Sequence, residues 1–226
     1  MPFISPDDGY MTLFNLFDTE DREKQNLVLE AMRDIVDNAD YPGWISSTVH
    51  VGQDAPGTAN YIQWRSAEDL KARYAGEKFK TRTVPEFHRL ATTVQLIQTE
   101  AVFAQRHLSL GDAAEISTQR DDYTVIFVLR CEPENQKALV DAIAKPDDWL
   151  LTVPGYRSHA YFRALDGTAV VNYAQWDSKE TYDAFHTLPE DERPLDVQKG
   201  RVRARSLATS RWANTFRVWH SRSATS

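Results

Sequence analysis

Ala59-Asn60-Tyr61-Ile62-Gln63-Trp64-Arg65-Ser66 returns in the same chain as Val171-Asn172-Tyr173-Ala174-Gln175-Trp176-Asp177-Ser178. Both stretches read Asn-Tyr-x-Gln-Trp-x-Ser, the second 112 positions after the first (Asn60 to Asn172). The offset holds well beyond the motif. Thr12 and Thr124, Pro42 and Pro154, Asp54 and Asp166, and Glu68 and Glu180 all keep it. Aligned without gaps, residues 41–74 and 153–186 share 11 identities in 34 positions. The chain is therefore an internal duplication, to be read as two copies of one unit.

The first copy is predicted as follows. Tyr10 to Phe17 is a strand. Residues 20–39 form a helix, because Val28, Met32, Ile35 and Ala39 recur on one helical face, with Thr19 as its cap. Tyr41-Pro42-Gly43 stops that helix. Trp44–Val51 and Thr58–Arg65 make an antiparallel hairpin around a Gly/Pro-rich turn. Ser66 caps a short helix running through Tyr74. A charged segment interrupted by Pro85 follows, and Thr92–Gln105 is the last strand.

The second copy repeats the order. Tyr123–Arg130 is a strand and Pro133–Ala144 a helix, with Pro133 suited to a first turn. Pro154-Gly155 breaks the chain where Pro42-Gly43 did. Tyr156–Leu165 and Thr168–Trp176 form the hairpin, and Ser178 caps the next helix. Pro189 and Pro194 interrupt the segment after it, and Arg211–Ser221 closes the unit. The expected class is α+β: two tandem ferredoxin-like βαββαβ units over residues 1–106 and 122–226, joined by a linker over 107–121. Helices cover one face of each sheet. The two uncovered faces can pack on one another inside one chain, as an internal pseudo-dimer.

Composition limits the partners. The chain has 226 residues, a formal net charge of −7 and an apolar content of 42%. An acidic chain is poorly matched to nucleic acid or to an anionic membrane surface. Lys199, Arg201, Arg203, Arg205 and Arg211 read as a solvated basic face or, more sharply, as a local anchor for an anionic ligand. No run of residues is long and apolar enough for a membrane helix. Cys131, the single cysteine, sits at the end of an apolar run and reads as a buried thiol. A cytoplasmic protein is expected, standing alone as a pseudo-dimer or pairing as a homodimer. There is no Gly-x-Gly-x-x-Gly, Walker or Gly-x-Ser-x-Gly pattern. The histidines lack metal-ligand spacing, so no metal site is expected.

Asn-x-x-x-Trp on the strand before the second helix, present twice, follows in each copy a Pro-Gly-aromatic strand start (Pro42-Gly43-Trp44 and Pro154-Gly155-Tyr156). In this the chain resembles the antibiotic biosynthesis monooxygenases, members of the dimeric α+β barrel superfamily. The resemblance covers nearly all of residues 9–221. Through Tyr41-Pro42-Gly43-Trp44-Ile45-Ser46-Ser47-Thr48-Val49-His50 and Val153-Pro154-Gly155-Tyr156-Arg157-Ser158-His159, it is similar to the tandem oxygenases that open the B ring of angucyclinones on jadomycin, gilvocarcin and kinamycin-type routes. This implies an oxygenase that oxidises a polycyclic aromatic polyketide with dioxygen. Reduced flavin (FADH2 or FMNH2) would be a diffusible cosubstrate delivered by a separate flavin reductase, and the outcome would be ring opening or contraction. Single-unit relatives imply an alternative, cofactor-independent oxidation of an anthrone or hydroquinone to a quinone. A non-catalytic aromatic-ligand carrier or cyclase-like protein is a third reading, and haem binding occurs elsewhere in the superfamily.

Strand alternation puts Asn60, Ile62 and Trp64 on one face, with Tyr61, Gln63 and Arg65 on the other. Asn172, Ala174 and Trp176 repeat the first set. An Asn amide beside an indole N–H offers two neutral donors to one volume, which suits an oxyanion or peroxide. The resemblance implies that at least one pair, Asn60 with Trp64 or Asn172 with Trp176, is catalytic and holds dioxygen and the substrate's enolate oxygen. His50 and His186 are candidate general bases. Trp44 and Tyr74 in the first unit, and Tyr156, His159 and Tyr182 in the second, are candidate walls for a flat polycyclic ligand. Arg82 answers to an Arg that single-unit relatives carry after the second helix; the second unit has no clean match. Tyr182 matches a Tyr found in some relatives ten residues after the Asn, where the first unit has Leu70.

Overall fold

Alternation along the strands, with helices laid over one face only, closes this sequence into a barrel. The computed structural model describes residues 2–77, 79–111 and 113–224; the side chain of Arg82 lies outside the described part. The first unit comprises β1 (Phe3–Ile4), β2 (Met11–Asp18), α1 (Arg22–Asp37), β3 (Trp44–Gly52), β4 (Gly57–Trp64), α2 (Ala67–Ala75), α3 (Val84–Leu90) and β5 (Thr93–Arg106). After β6 (Ala114–Glu115), the second unit comprises β7 (Tyr123–Cys131), α4 (Gln136–Ile143), β8 (Tyr156–Ala164), β9 (Ala169–Trp176), α5 (Lys179–Thr187), α6 (Leu195–Leu207) and β10 (Ala208–Ser223).

All ladder contacts in the barrel are antiparallel, in the closed order β10-β3-β4-β2-β5-β8-β9-β7. Within each unit the order is that of a ferredoxin-like sheet. Between units, the last strand of each pairs with the first hairpin strand of the other: β5 with β8, and β10 with β3. These two seams leave the barrel without an open edge.

The inward half of the repeated motif builds the barrel core. Tyr61 and Tyr173 meet across the pseudo-two-fold axis with ring centroids 5.9 Å apart, and Phe14 meets Phe162 at 5.0 Å. Both tyrosines are buried, and Ile126, Val128 and Phe216 pack around them. Gln63 and Gln175 also point inward. Gln63 accepts from Ser46 Oγ and donates to the Phe3 carbonyl; Gln175 accepts from Ser158 Oγ and donates to the Glu115 carbonyl. The two glutamines thus tie down the small β1–β6 sheet formed by Phe3–Ile4 and Ala114–Glu115. So the recurrence of Tyr and Gln is explained by architecture alone.

The Pro-Gly breaks have a backbone reason. Gly43 and Gly155 adopt φ of 80° and 77°, a left-handed region that disfavours side chains. Their carbonyls accept from Arg65 N and Asp177 N, which locks each turn to the end of its motif strand.

Several boundaries differ from expectation. Asp21, rather than Thr19, caps α1, its carboxylate accepting from Lys24 N. The segment expected as one helix from Pro133 opens as a 3-10 turn, and only Gln136–Ile143 is α-helical. The Pro189–Pro194 interruption is followed by a full helix, α6. Gly200 sits in its middle because a Cβ there would stand 2.7 Å from the Ala142 carbonyl oxygen, so α6 packs on α4 at glycine distance. The expected linker contains β6. Among the described residues no helix is long and apolar enough to cross a membrane.

Candidate active site

The outward half of the motif faces the helices, and in the first unit it faces empty space. A cavity of about 830 Å³, its open mouth included, lies between the outer face of the sheet and α1, α2 and α3. Leu13, Asn15 and Phe17 of β2 alternate onto it, as do Asn60, Ile62 and Trp64 of β4. Trp44 and Ser47 enter from β3, and Val94 and Leu96 from β5. The helical side is apolar at Met32, Ile35, Val36, Leu70 and Phe87, with Arg73, Tyr74 and His88 as polar exceptions.

Three polar atoms on this lining are buried and have no hydrogen-bond partner: Asn15 Oδ1, Asn60 Oδ1 and Trp64 Nε1. Asn15 and Asn60 are direct cross-strand partners, so their carboxamides stand side by side. Trp64 lies on the same face of β4. Folded proteins rarely leave such atoms unpaired, because each costs about 1–3 kcal/mol of desolvation without return. Two acceptors and one donor on one wall of an apolar cavity could bind a group that supplies the opposite set. The sequence pointed to two donors; instead the cluster holds one donor with two carbonyl acceptors, and each amide can also turn to present its NH2.

The second unit holds the same strands with bulkier neighbours around the motif. Asn172 has Phe127 on one side and Tyr161 on the other, where Asn60 has Asn15 and Val49. His159 stands where the first unit has Ser47. Phe103, His159 and Tyr161 pack together with centroids 5.3–6.4 Å apart. Asn172 Nδ2 donates to the Ala160 carbonyl at 3.2 Å. Trp176 is enclosed by Phe185 at 4.8 Å, Tyr156 at 5.8 Å and Tyr182 at 5.9 Å. Bulkier side chains of this copy, Phe127 for Asn15 and His159 for Ser47, stand at positions that border the cavity in the first copy.

The expected site residues therefore separate. Asn60, Trp64, Trp44 and Tyr74 come together on the cavity. Trp44 Nε1 is already satisfied, donating to Ser47 Oγ at 3.0 Å. Burial pushes the Tyr74 phenol up to about 12, so it stays protonated. The Arg82 side chain lies outside the described residues, although its neighbour Thr83 lines the cavity. His50 is elsewhere: it points into the barrel, fully buried, with Nε2 2.8 Å from Tyr173 Oη and Nδ1 3.3 Å from the Ala59 carbonyl. Burial lowers it from the ordinary 6.5 to about 4, so it sits there as neutral imidazole, away from the cavity. His186 is exposed on α5, stacked on Tyr182 at 5.5 Å. Tyr156 donates to the Gln105 carbonyl at 2.9 Å and lies 2.8 Å from His159 Nδ1, and both belong to the filled second unit. Asn15, Arg73 and His88 are the lining residues that the motif did not reveal as site candidates.

Comparison with known proteins identifies the family. The antibiotic biosynthesis monooxygenase family matches residues 122–191, a stretch within the filled second unit. The chain is 32% identical over 95 residues to the tetracenomycin-F1 monooxygenase of Streptomyces glaucescens, spanning 42% of this chain and 85% of that one. A crystal structure of an anthrone oxidase-like protein matches with a TM-score of 0.93 and 41% identity, covering 100% of this chain and 98% of the other. A chlorite dismutase from Candidatus Nitrospira defluvii matches at a TM-score of 0.53 and 11% identity, over 93% of this chain and 92% of that one, a likeness of fold alone. With its duplicated ferredoxin-like barrel, its cavity behind the Asn-x-x-x-Trp strand and these relatives, the chain belongs to the antibiotic biosynthesis monooxygenase family and is an oxidoreductase of the monooxygenase type.

Proposed function

We propose that the first-unit cavity binds a hydroxylated anthrone of aromatic polyketide type and oxidises it with dioxygen to the quinone. The observation that carries this reading is the unpartnered trio Asn15 Oδ1, Asn60 Oδ1 and Trp64 Nε1 in an otherwise apolar cavity. A flat phenolic ketone supplies what the trio lacks: phenol O–H groups for the two carbonyl oxygens and a ketone or enolate oxygen for the indole N–H. Negative charge gathers on that oxygen as the ring methylene loses a proton, and a fixed donor in an apolar site lowers the barrier to that step. His88, on the lining and exposed, is positioned to pass the proton to solvent. The electron-rich enolate then gives an electron to dioxygen, the two radicals join in a C–O bond, and the protonated peroxide loses water to leave a carbonyl. One oxygen atom enters the ring and the other leaves as water, with both hydrogens drawn from the methylene. The names of the two relatives, a tetracenomycin-F1 monooxygenase and an anthrone oxidase-like protein, support this substrate class.

Flavin-assisted ring opening of an angucyclinone is the second reading. The tandem organisation behind it does not discriminate, since the anthrone oxidase-like structure is matched along its whole length by both units. The apolar and aromatic walls of the cavity suit an isoalloxazine ring as well as a polycyclic substrate, so flavin use is decided by assay. No step is therefore assigned to a flavin. The test is oxygen uptake and quinone formation from 1,8-dihydroxyanthrone, corrected for autoxidation, with and without reduced flavin and a reductase. Turnover without flavin, carrying one labelled atom from 18O2 into the quinone, is the expected result. Absence of turnover under both conditions contradicts the proposal, and turnover of an angucyclinone only with flavin favours the second reading.

A further inference from the structure

The cavity lining carries charge of one sign only. Among the described residues that line it there is no Asp or Glu, in a chain that contains 33 of them. Among the described lining residues the one permanent cation is Arg73, on the last turn of α2. Its guanidinium carbon lies 4.2 Å from the Tyr41 ring centroid and 5.0 Å from that of Phe79. No carboxylate pairs with it among the described residues, whereas Arg65, on the strand end just before the same helix, is bound by Asp69. Aromatic faces orient a guanidinium and leave its in-plane N–H groups free.

The second unit supplies the contrast. Its counterpart of Arg73, at the same offset of 112 that relates Asn60 to Asn172, is Phe185, which packs on Trp176 at 4.8 Å and helps to fill that copy. The first copy thus turns its guanidinium onto the cavity, whereas the second copy buries its own, Arg193, over the Phe185 ring at 4.7 Å, where it donates to the Phe185 and Leu188 carbonyls.

We infer that Arg73 selects a substrate with an acidic group on its edge, a carboxylate or an ionised phenol, and holds that group by charge-assisted hydrogen bonds. This deepens the proposed function by specifying the substrate as an aromatic acid rather than a neutral polycycle. A carboxylate matches the planar fork of a guanidinium better than any neutral group. The ring system behind it would extend along the apolar lining toward the Asn15–Asn60–Trp64 trio. Arg73 is a specificity residue here and takes no part in electron transfer.

Binding tests this without relying on turnover. Anthraquinone-2-carboxylate and anthraquinone-2-carboxamide have the same shape and differ in charge. Their affinities for the full chain can be measured by quenching of tryptophan fluorescence, for the wild type and for Arg73→Gln and Arg73→Lys. The expected result is a preference for the carboxylate of about tenfold or more in the wild type. Arg73→Gln should abolish the preference while leaving carboxamide affinity within about twofold, and Arg73→Lys should keep part of it. Equal affinities in the wild type, a preference that survives Arg73→Gln, or an equal loss for both ligands would overturn the inference. Failure of the oxygenase reading would appear separately, as selective binding of the carboxylate without oxygen consumption from any anthrone.

Discussion

Asn15 on β2 and Asn60 on β4 are cross-strand partners, and the side-chain carbonyl of each is buried without a hydrogen-bond partner. A fold that needed only stability would place Leu or Val at both positions. Asn15→Leu and Asn60→Leu should therefore each raise the unfolding free energy, by up to about 1–3 kcal/mol. The same variants should lower turnover of the anthrone substrate by on the order of 10²-fold, the usual scale for a lost polar contact at a developing charge. Thermal unfolding and steady-state kinetics on the same preparations check both halves. A variant that loses stability along with activity would mean that the carboxamides serve the fold.

His50 and His159 predict an acid-sensitive stability. Burial lowers both from the ordinary 6.5 to about 4. Above pH 6.5 both are neutral, folded or unfolded, and their environment carries no penalty. As pH falls from 6.5 toward 4, the unfolded chain takes up protons that the folded chain refuses, and stability declines, by on the order of 3 kcal/mol per histidine across the window. Urea unfolding at pH 7.5, 6 and 5 measures the slope. His50→Gln should remove about half of it and leave turnover near wild type, because His50 faces the barrel interior, away from the cavity. An unchanged slope would show that His50 is not the group responsible.

The filled second copy predicts binding stoichiometry. Titration calorimetry with an anthraquinone ligand should give one site per chain, although the motif occurs twice. Two equivalent sites would mean that Phe127, His159 and Tyr161 move aside for ligand, and the contrast between the units would lose its functional meaning.

Much of this architecture is legible in the sequence. The strands follow from alternation and the pairing of units from the constant offset, because both depend on local periodicity and repetition. The site is less legible. Asn60 and Trp64 could be placed on one face of β4, but which copy had room beside them depends on residues from other strands. Asn15 carries a legible signal: in Leu13-Phe14-Asn15-Leu16-Phe17 it is the one polar residue on the face shared by Leu13 and Phe17, and its counterpart in the second unit is Phe127. His50 was open to misreading for the opposite reason. Strand alternation alone does not tell which face of β3 turns inward, and a bulge between Trp44 and Ser46 shifts the parity there. Arg73 on a short charged helix looks like any solvated residue until the helix is seen to roof a cavity. α6 was hidden by flanking prolines and by Gly200, whose role depends on a close approach to α4.

The central claim is that the first copy of the motif works and the second supports it, and Trp64 and Trp176 allow a direct comparison. Trp64 Nε1 is unpartnered on the cavity, while Trp176 is enclosed by Phe185, Tyr156 and Tyr182. Turnover of 1,8-dihydroxyanthrone should be measured for Trp64→Phe and Trp176→Phe side by side. The account predicts a loss of about 10²-fold for Trp64→Phe with the fold intact. For Trp176→Phe it predicts turnover within about twofold of wild type and a stability cost of about 1–3 kcal/mol from lost packing. Equal losses of turnover in the two variants, or a loss confined to Trp176→Phe, would contradict it.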